Sequence, residues 1–206
     1  MNNIDRIVSE ANSVKEYAMA YFNYLSRLLD DIDTEAIADF VDELEAARKQ
    51  QNTIFIVGNG GSAATASHMA NDFGIGAGNS KDEVPLRALS LTDNVAGMTA
   101  IANDFGYDEL FVYQLRAHYR PGDRLVAISA SGNSPNVIAA AEWIKQHKGT
   151  VIGLVGFDGG KLKEYCDILI HIRTPKGEYG PVEDVHMILD HLIYTWLRQR
   201  KNELSE

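Results

Sequence analysis

The sequence predicts an α/β protein: a three-layer α/β/α sandwich around a five-stranded parallel sheet, with a helical extension at its N-terminus. Three observations lead there. From Thr53 onward, short apolar runs rich in β-branched residues alternate with helix-compatible segments, the pattern of a parallel sheet covered on both faces. From about Asn3 to Gln51 there is no proline or glycine, and apolar residues recur at helical spacing. Two strand-to-helix junctions are dense in glycine and serine, and such junctions are where open parallel sheets bind ligands.

The elements follow in order. Ala18, Tyr21, Phe22, Leu25, Leu28 and Leu29, then Ile37, Phe40, Val41, Leu44 and Ala47, mark two helices broken near Asp30 to Asp33. Asp33 or Thr34 caps the second, with Glu35 in its first turn. Their apolar stripes must be buried against the core or against a second subunit. Strands are expected at 53–58, 86–91, 124–130, 150–155 and 168–172. Helical segments are expected at 62–73, 94–103 with 108–118, 135–147 and 160–166, and a last helix at 181–200. Gly74 to Asp82 is the loosest stretch and reads as a mobile loop beside the site.

Bulk numbers narrow the function. The chain has 206 residues, 45% hydrophobic and 23% charged, enough for one cored domain with an extension. A net charge of −10 argues against nucleic acid or an anionic membrane as partner. No apolar run approaches the ~20 residues of a membrane span. The N-terminus lacks the apolar core of a signal peptide, and the single cysteine, Cys166, has no internal disulfide partner. A reducing cytoplasm is the expected location.

The first junction, Thr53 to Ser67, runs from an apolar strand through Gly58-Asn59-Gly60-Gly61-Ser62 into a small-residue helix. Free amides and the positive end of the helix dipole converge there on one anion-binding point. Glycine permits close backbone approach, and Ser62 adds a hydroxyl. The device returns at Leu125 to Asn136, with Ser129, Ser131, Gly132 and Ser134. Two such loops in one domain point to a pocket for a phosphorylated small molecule. Gly58 to Ala63 also satisfies the dinucleotide pattern G-x-G-x-x-A. The acid that holds a ribose belongs about 20 residues on, at the end of the next strand. That region is the glycine-rich segment, so no nucleotide cofactor is expected.

Chemistry needs more than a phosphate grip. His68 and Asp72 stand at i,i+4 on the first helix after the sheet begins, and the last helix carries Glu183, Asp184, His186, Asp190 and His191. Two helices so equipped could supply a proton-transfer pair or a mixed nitrogen/oxygen metal site. Spacing alone chooses neither between His186 and His191 nor between Glu183 and Asp184.

The segments GNGGSAATASH at 58–68, TDN at 92–94, AIANDFGYDELF at 100–111, ISASGNSPNV at 128–137, GFDGGKL at 156–162 and EDVHMILDHL at 183–192 resemble the sugar isomerase (SIS) domain proteins. Their phosphoheptose isomerase branch is the most similar. The resemblance implies a flavodoxin-like strand order, a SIS domain at 52–206 and oligomerising helices at 1–51. It implies a homotetramer that interconverts sedoheptulose 7-phosphate and D-glycero-D-manno-heptose 7-phosphate. Ser62, Ser129, Ser131 and Ser134 would hold the phosphate, with Asn59, Gly60 and Gly61 in the first loop and Asp93 and Asn94 near the sugar. His191 maps to the family's histidine on the last helix, and it would be the catalytic acid. Asp72 or Glu183 would be the base. Zinc, one per subunit, would be bound by His68, Asp72, Glu183 and His191. Asp72 stands where the family usually has glutamate, Glu183 where it has glutamine, and Ala130 where it has a hydroxyl. A different sugar phosphate, or a non-catalytic phosphosugar-binding regulator, are the alternative readings.

Overall fold

Apolar runs of β-branched residues become the five strands, because a strand covered on both faces can bury every side chain. The computed structural model describes residues 1–77 and 84–203. Its strands are β1 (Thr53–Val57), β2 (Arg87–Ser90), β3 (Arg124–Ser129), β4 (Thr150–Gly156) and β5 (Ile168–Ile172), and all pairs are parallel in the order β2-β1-β3-β4-β5. The direction of winding reverses between β1 and β3. The loops that leave those two strands therefore flank the switch point, where a ligand crevice opens.

Among the described residues, eight α-helices surround the sheet: α1 (Asn3–Glu10), α2 (Val14–Asp30), α3 (Thr34–Gln50), α4 (Gly61–Asn71), α5 (Val95–Asp104), α6 (Leu110–His118), α7 (Pro135–Gln146) and α8 (Tyr179–Glu203). Successive side chains on each strand point to opposite faces and feed two cores. Ile54, Ile56, Val126, Ile128 and Ile152 meet Phe40, Leu44, Met69, Val185 and Leu189 on one face. Phe55, Val57, Leu125, Ala127 and Val151 meet Leu110, Phe111, Val137 and Ile144 on the other. Each such fully buried side chain contributes roughly 1.5–3 kcal/mol relative to exposure.

The N-terminal stretch holds three helices rather than two. Asn2 caps α1 and Ser13 caps α2, its hydroxyl accepting from the Glu16 amide, so the chain breaks at Ala11 to Ser13 as well as before Asp33. Asp33 caps α3 through the amides of Glu35 and Ala36. The segment expected as a helix at 160–166 is a short 3₁₀ turn, Leu162–Tyr165. Gly159 and Gly160, with φ of 83° and 53°, precede it and leave little chain before β5. Of the stretch expected to be loose, Gly74 to Gly76 belong to a π-helical turn, Asp72–Gly76, closed by the Ala77 amide on the Asp72 carbonyl, while positions 78–82 lie outside the described residues. No described helix is long and apolar enough to cross a membrane.

Candidate active site

The first loop is shaped by what a Cβ would hit. At Gly58 it would lie 2.5 Å from the Ser62 carbonyl oxygen, and Gly60 has φ +55°. These glycines fold the chain tightly from β1 into α4, whose amides at Ala63 and Ala64 bond back to Gly60. In the second loop, Gly132 has φ +63°, and a Cβ there would stand 2.1 Å from the Gly159 carbonyl oxygen. The turn after β4 thus braces the loop after β3, and the Leu162 amide bonds the Gly132 carbonyl at 2.9 Å.

Both loops line one pocket of about 250 Å³, with Asn59, Gly60, Gly61, Ser62, Ser129, Ser131, Ser134, Tyr179 and Glu183 among its walls. Ser129 and Ser134 hydroxyls are 3.2 Å apart, and the Ser131 hydroxyl accepts from the Asn133 amide. Among the described residues, no lysine or arginine lines this pocket. An anion here is held by helix N-termini, amides and hydroxyls. A larger cleft of about 460 Å³ adjoins it through Ser131 and Tyr179 and brings in Lys176, Thr174 and Asp158.

Asn59 does something the sequence did not announce. Its amide exchanges two hydrogen bonds with the fully buried Asn136, at 2.8 and 2.9 Å, and also accepts from the Tyr107 hydroxyl at 2.9 Å. Asn59 therefore ties the two loops together, and it has one N–H left for a ligand. Asn94 likewise spends its carbonyl oxygen capping α5 at the Gly97 amide, 2.9 Å away. Asp93 lies at the carboxyl end of β2 and accepts from the Ser67 hydroxyl on α4, next in sequence to His68.

α4 and α8 pack side by side. Near the start of α4, a Cβ at Gly61 would be 2.2 Å from a Glu183 carboxylate oxygen, so glycine alone lets Glu183 lie across that turn. Further along, His68 Nε2 meets His191 Nε2 at 3.2 Å. Both contacts advance with residue number, so the helices run in the same direction. Seven residues on α4 and eight on α8 separate the contacts, a span of roughly 10–12 Å at 1.5 Å rise per residue. Burial, then Asp184, raises the Glu183 pKa.

At the histidine end, His68, Asp72, Asp190 and His191 each bring one ligand atom within 4.8 Å of all the others. His68 Nε2 lies 3.5 Å from Asp72 Oδ2 and 3.9 Å from Asp190 Oδ2. A tetrahedral zinc with bonds near 2.05 Å sets its ligand atoms about 3.3 Å apart. Two imidazoles and two carboxylates converging on one point fit such an ion. The Asp190 side chain is fully buried and neither oxygen has a hydrogen-bond partner. Burial, then the Asp72 charge, pushes its pKa up to about 7. His186 is also fully buried and stands outside the group, its pKa drawn down to about 4 by desolvation. Glu183 is not in the group either. The resemblance implied Glu183 beside these residues, whereas the α8 acid standing in the group is Asp190. Its presence one residue before His191 was visible in the chain, whereas its burial is not a property that spacing reveals.

The SIS domain family profile matches residues 20–156. The phosphoheptose isomerase of Rhodospirillum rubrum is 40% identical over 158 residues, covering 77% of this chain and 82% of that protein. That of Aneurinibacillus thermoaerophilus is 36% identical over 189 residues, covering 90% and 87%. Among solved structures, the phosphoheptose isomerase of Neisseria gonorrhoeae superposes with a TM-score of 0.80 at 31% identity, over 91% of this chain and all of that one. By its fold, its paired serine loops and these similarities, the chain belongs to the SIS domain family, in the phosphoheptose isomerase branch.

Proposed function

We propose that this chain is an aldose–ketose isomerase that interconverts sedoheptulose 7-phosphate and D-glycero-D-manno-heptose 7-phosphate. The observation that carries the reading is the paired geometry of α4 and α8. One end of the pair opens on two serine loops, and the other end presents histidines and carboxylates.

The phosphate docks on Ser62, Ser129, Ser131 and Ser134 and on the amides at the start of α4. Docking converts proton transfer at the far end into an oriented, intramolecular step. Asp72, largely shielded at the histidine end, takes the proton from C1 of the open-chain ketose. His191 donates a proton to the C2 carbonyl oxygen, which gives a cis-enediol. Asp72 then delivers its proton to C2 as His191 recovers one from the C1 hydroxyl, leaving the aldose. Burial, then the neighbouring Asp184, raises the pKa of Glu183. Glu183 hydrogen-bonds substrate in the serine pocket. Asp93 contacts sugar hydroxyls at the edge. His68, Asp72, His191 and a carboxylate of α8 would hold a zinc ion, which would supply Lewis-acid polarisation of the carbonyl and hydroxyl oxygens in place of the proton from His191.

The oligomer is a homotetramer with α1–α3 at its contacts. Ile188, Leu192 and Trp196 expose an apolar stripe at i, i+4 and i+8 on α8, and Met19 and Phe22 stand exposed on α2, which supports a helix surface covered by another subunit. Location in the cytoplasm is supported by the single cysteine. The test is an NMR assay of purified protein with sedoheptulose 7-phosphate, with added zinc and with EDTA. Appearance of the aldoheptose 7-phosphate is expected. Binding without any product would overturn the reading.

A further inference from the structure

We infer that the α8 carboxylate holding the metal in this chain is Asp190 rather than Glu183, so that the centre is built from two histidines and two aspartates. The inference rests on the metal reading just given. Asp190 is wholly buried, and neither of its oxygens has a hydrogen-bond partner. A carboxylate taken out of water without a partner is costly, and a cation is the partner this position lacks. One of its oxygens is 3.9 Å from His68 Nε2, inside the group that also contains Asp72 and His191. Glu183 points elsewhere: its carboxylate lies across the first turn of α4 at Gly61, beside the serine loops.

The donor chemistry agrees. Two imidazoles with two carboxylates suit zinc, and the two negative charges balance a divalent ion. The arrangement also divides the labour of the two aspartates. Asp190 sits behind the centre where substrate cannot reach it, so it acts as a fixed ligand. Asp72 is 13% exposed, so it can meet substrate. Glu183 is left free in the sugar pocket.

The experiment is a zinc affinity measurement against a competing chelator, on full-length protein, for wild type, Asp190→Asn and Glu183→Gln. Loss of an outer-shell partner already costs ~10–100-fold in metal affinity, so Asp190→Asn, which replaces a charged direct ligand with a neutral amide, is expected to bind at least ~100-fold more weakly. Its metal-free melting temperature should be no lower than that of wild type, since an unpartnered buried acid has gone. Glu183→Gln is expected within about threefold of wild type, well inside the range that even an outer-shell loss produces. Near-normal zinc affinity in Asp190→Asn, or a large loss in Glu183→Gln, would overturn the assignment. The visible spectrum of the cobalt(II) form gives a second reading that does not depend on affinity. A changed spectrum in Asp190→Glu with an unchanged one in Glu183→Gln supports the assignment, and the reverse overturns it. Wild type that binds neither metal overturns this inference and the metal reading together. The turnover assay on the same metal-free protein then reports separately on the isomerase.

Discussion

Asp72 and Glu183 are the two acids that the chain alone could not rank, and their surroundings now separate them. Asp72 stands 3.5 Å from His68 Nε2 in the histidine group, while Glu183 lies against Gly61 at the phosphate end. Asp72→Asn is expected to lower kcat by ~10²–10⁴-fold, the usual worth of a positioned base. Glu183→Gln, isosteric with the protonated acid, is expected to cost less than about tenfold, the effect falling mainly on KM. Steady-state kinetics on both variants checks the ranking, and a larger kcat loss in Glu183→Gln would reverse it. Much of the site was legible at this scale, because a serine or glycine in a strand-to-helix loop carries its chemistry locally. The roles of Asn59, Asn136 and Asp190 were not. A buried bridge between residues 59 and 136, or a carboxylate buried without a hydrogen-bond partner, exists only once distant segments pack.

At the scale of elements, the strands were readable because their apolar runs are continuous, as β3 shows with all six residues buried. The extra break before α2 turned on a Ser13 cap within an otherwise helical pattern. The 3₁₀ turn at Leu162–Tyr165 depends on glycines that serve the neighbouring loop. That dependence is testable. Gly132 needs φ +63° and has the Gly159 carbonyl where a Cβ would go. Gly132→Ala combines a left-handed backbone cost of about 1–3 kcal/mol with overpacking of a similar size. Denaturant unfolding is expected to show a loss of about 2–5 kcal/mol, with weaker phosphosugar binding. Wild-type stability in this variant would mean that the brace between the two loops is not rigid.

For the whole molecule, two buried groups on α8 give stability a characteristic pH dependence. Asp190 titrates at about 7 when folded against 3.8 unfolded, so folded protein holds the extra proton and stability falls as pH rises across that window. His186 titrates at about 4 against 6.5, so stability from its neutral burial is present above 6.5 and lost as pH falls toward 4. In metal-free wild type the two trends oppose each other between about pH 4 and 6.5. Asp190→Asn removes the falling one. Its melting temperature relative to wild type should therefore climb as pH rises from 4 to 7 in EDTA, and a flat difference would count against the burial of Asp190. Because the proposed zinc centre exists only in the folded chain, saturating zinc should raise the wild-type melting temperature by mass action.

The same-direction pairing of α4 and α8 also makes the pocket a ruler. The span from Gly61 to His68 is rigid because both ends belong to one helix, so the proposed phosphate grip and proton transfer would be held a set distance apart. An extended chain advances about 1.2 Å per bond. The eight bonds from C1 to phosphorus in a heptose 7-phosphate then cover roughly 10 Å, close to the length of the gauge. A pentose 5-phosphate falls two bonds short: with its phosphate seated, its carbonyl stops before the histidines. Ribulose 5-phosphate is therefore expected to occupy the serine loops as a competitive inhibitor while being turned over at least ~100-fold more slowly than the heptose, the order of loss that a misplacement of an ångström or more brings. Equal kcat for the two sugars would show that length is not what the helices measure.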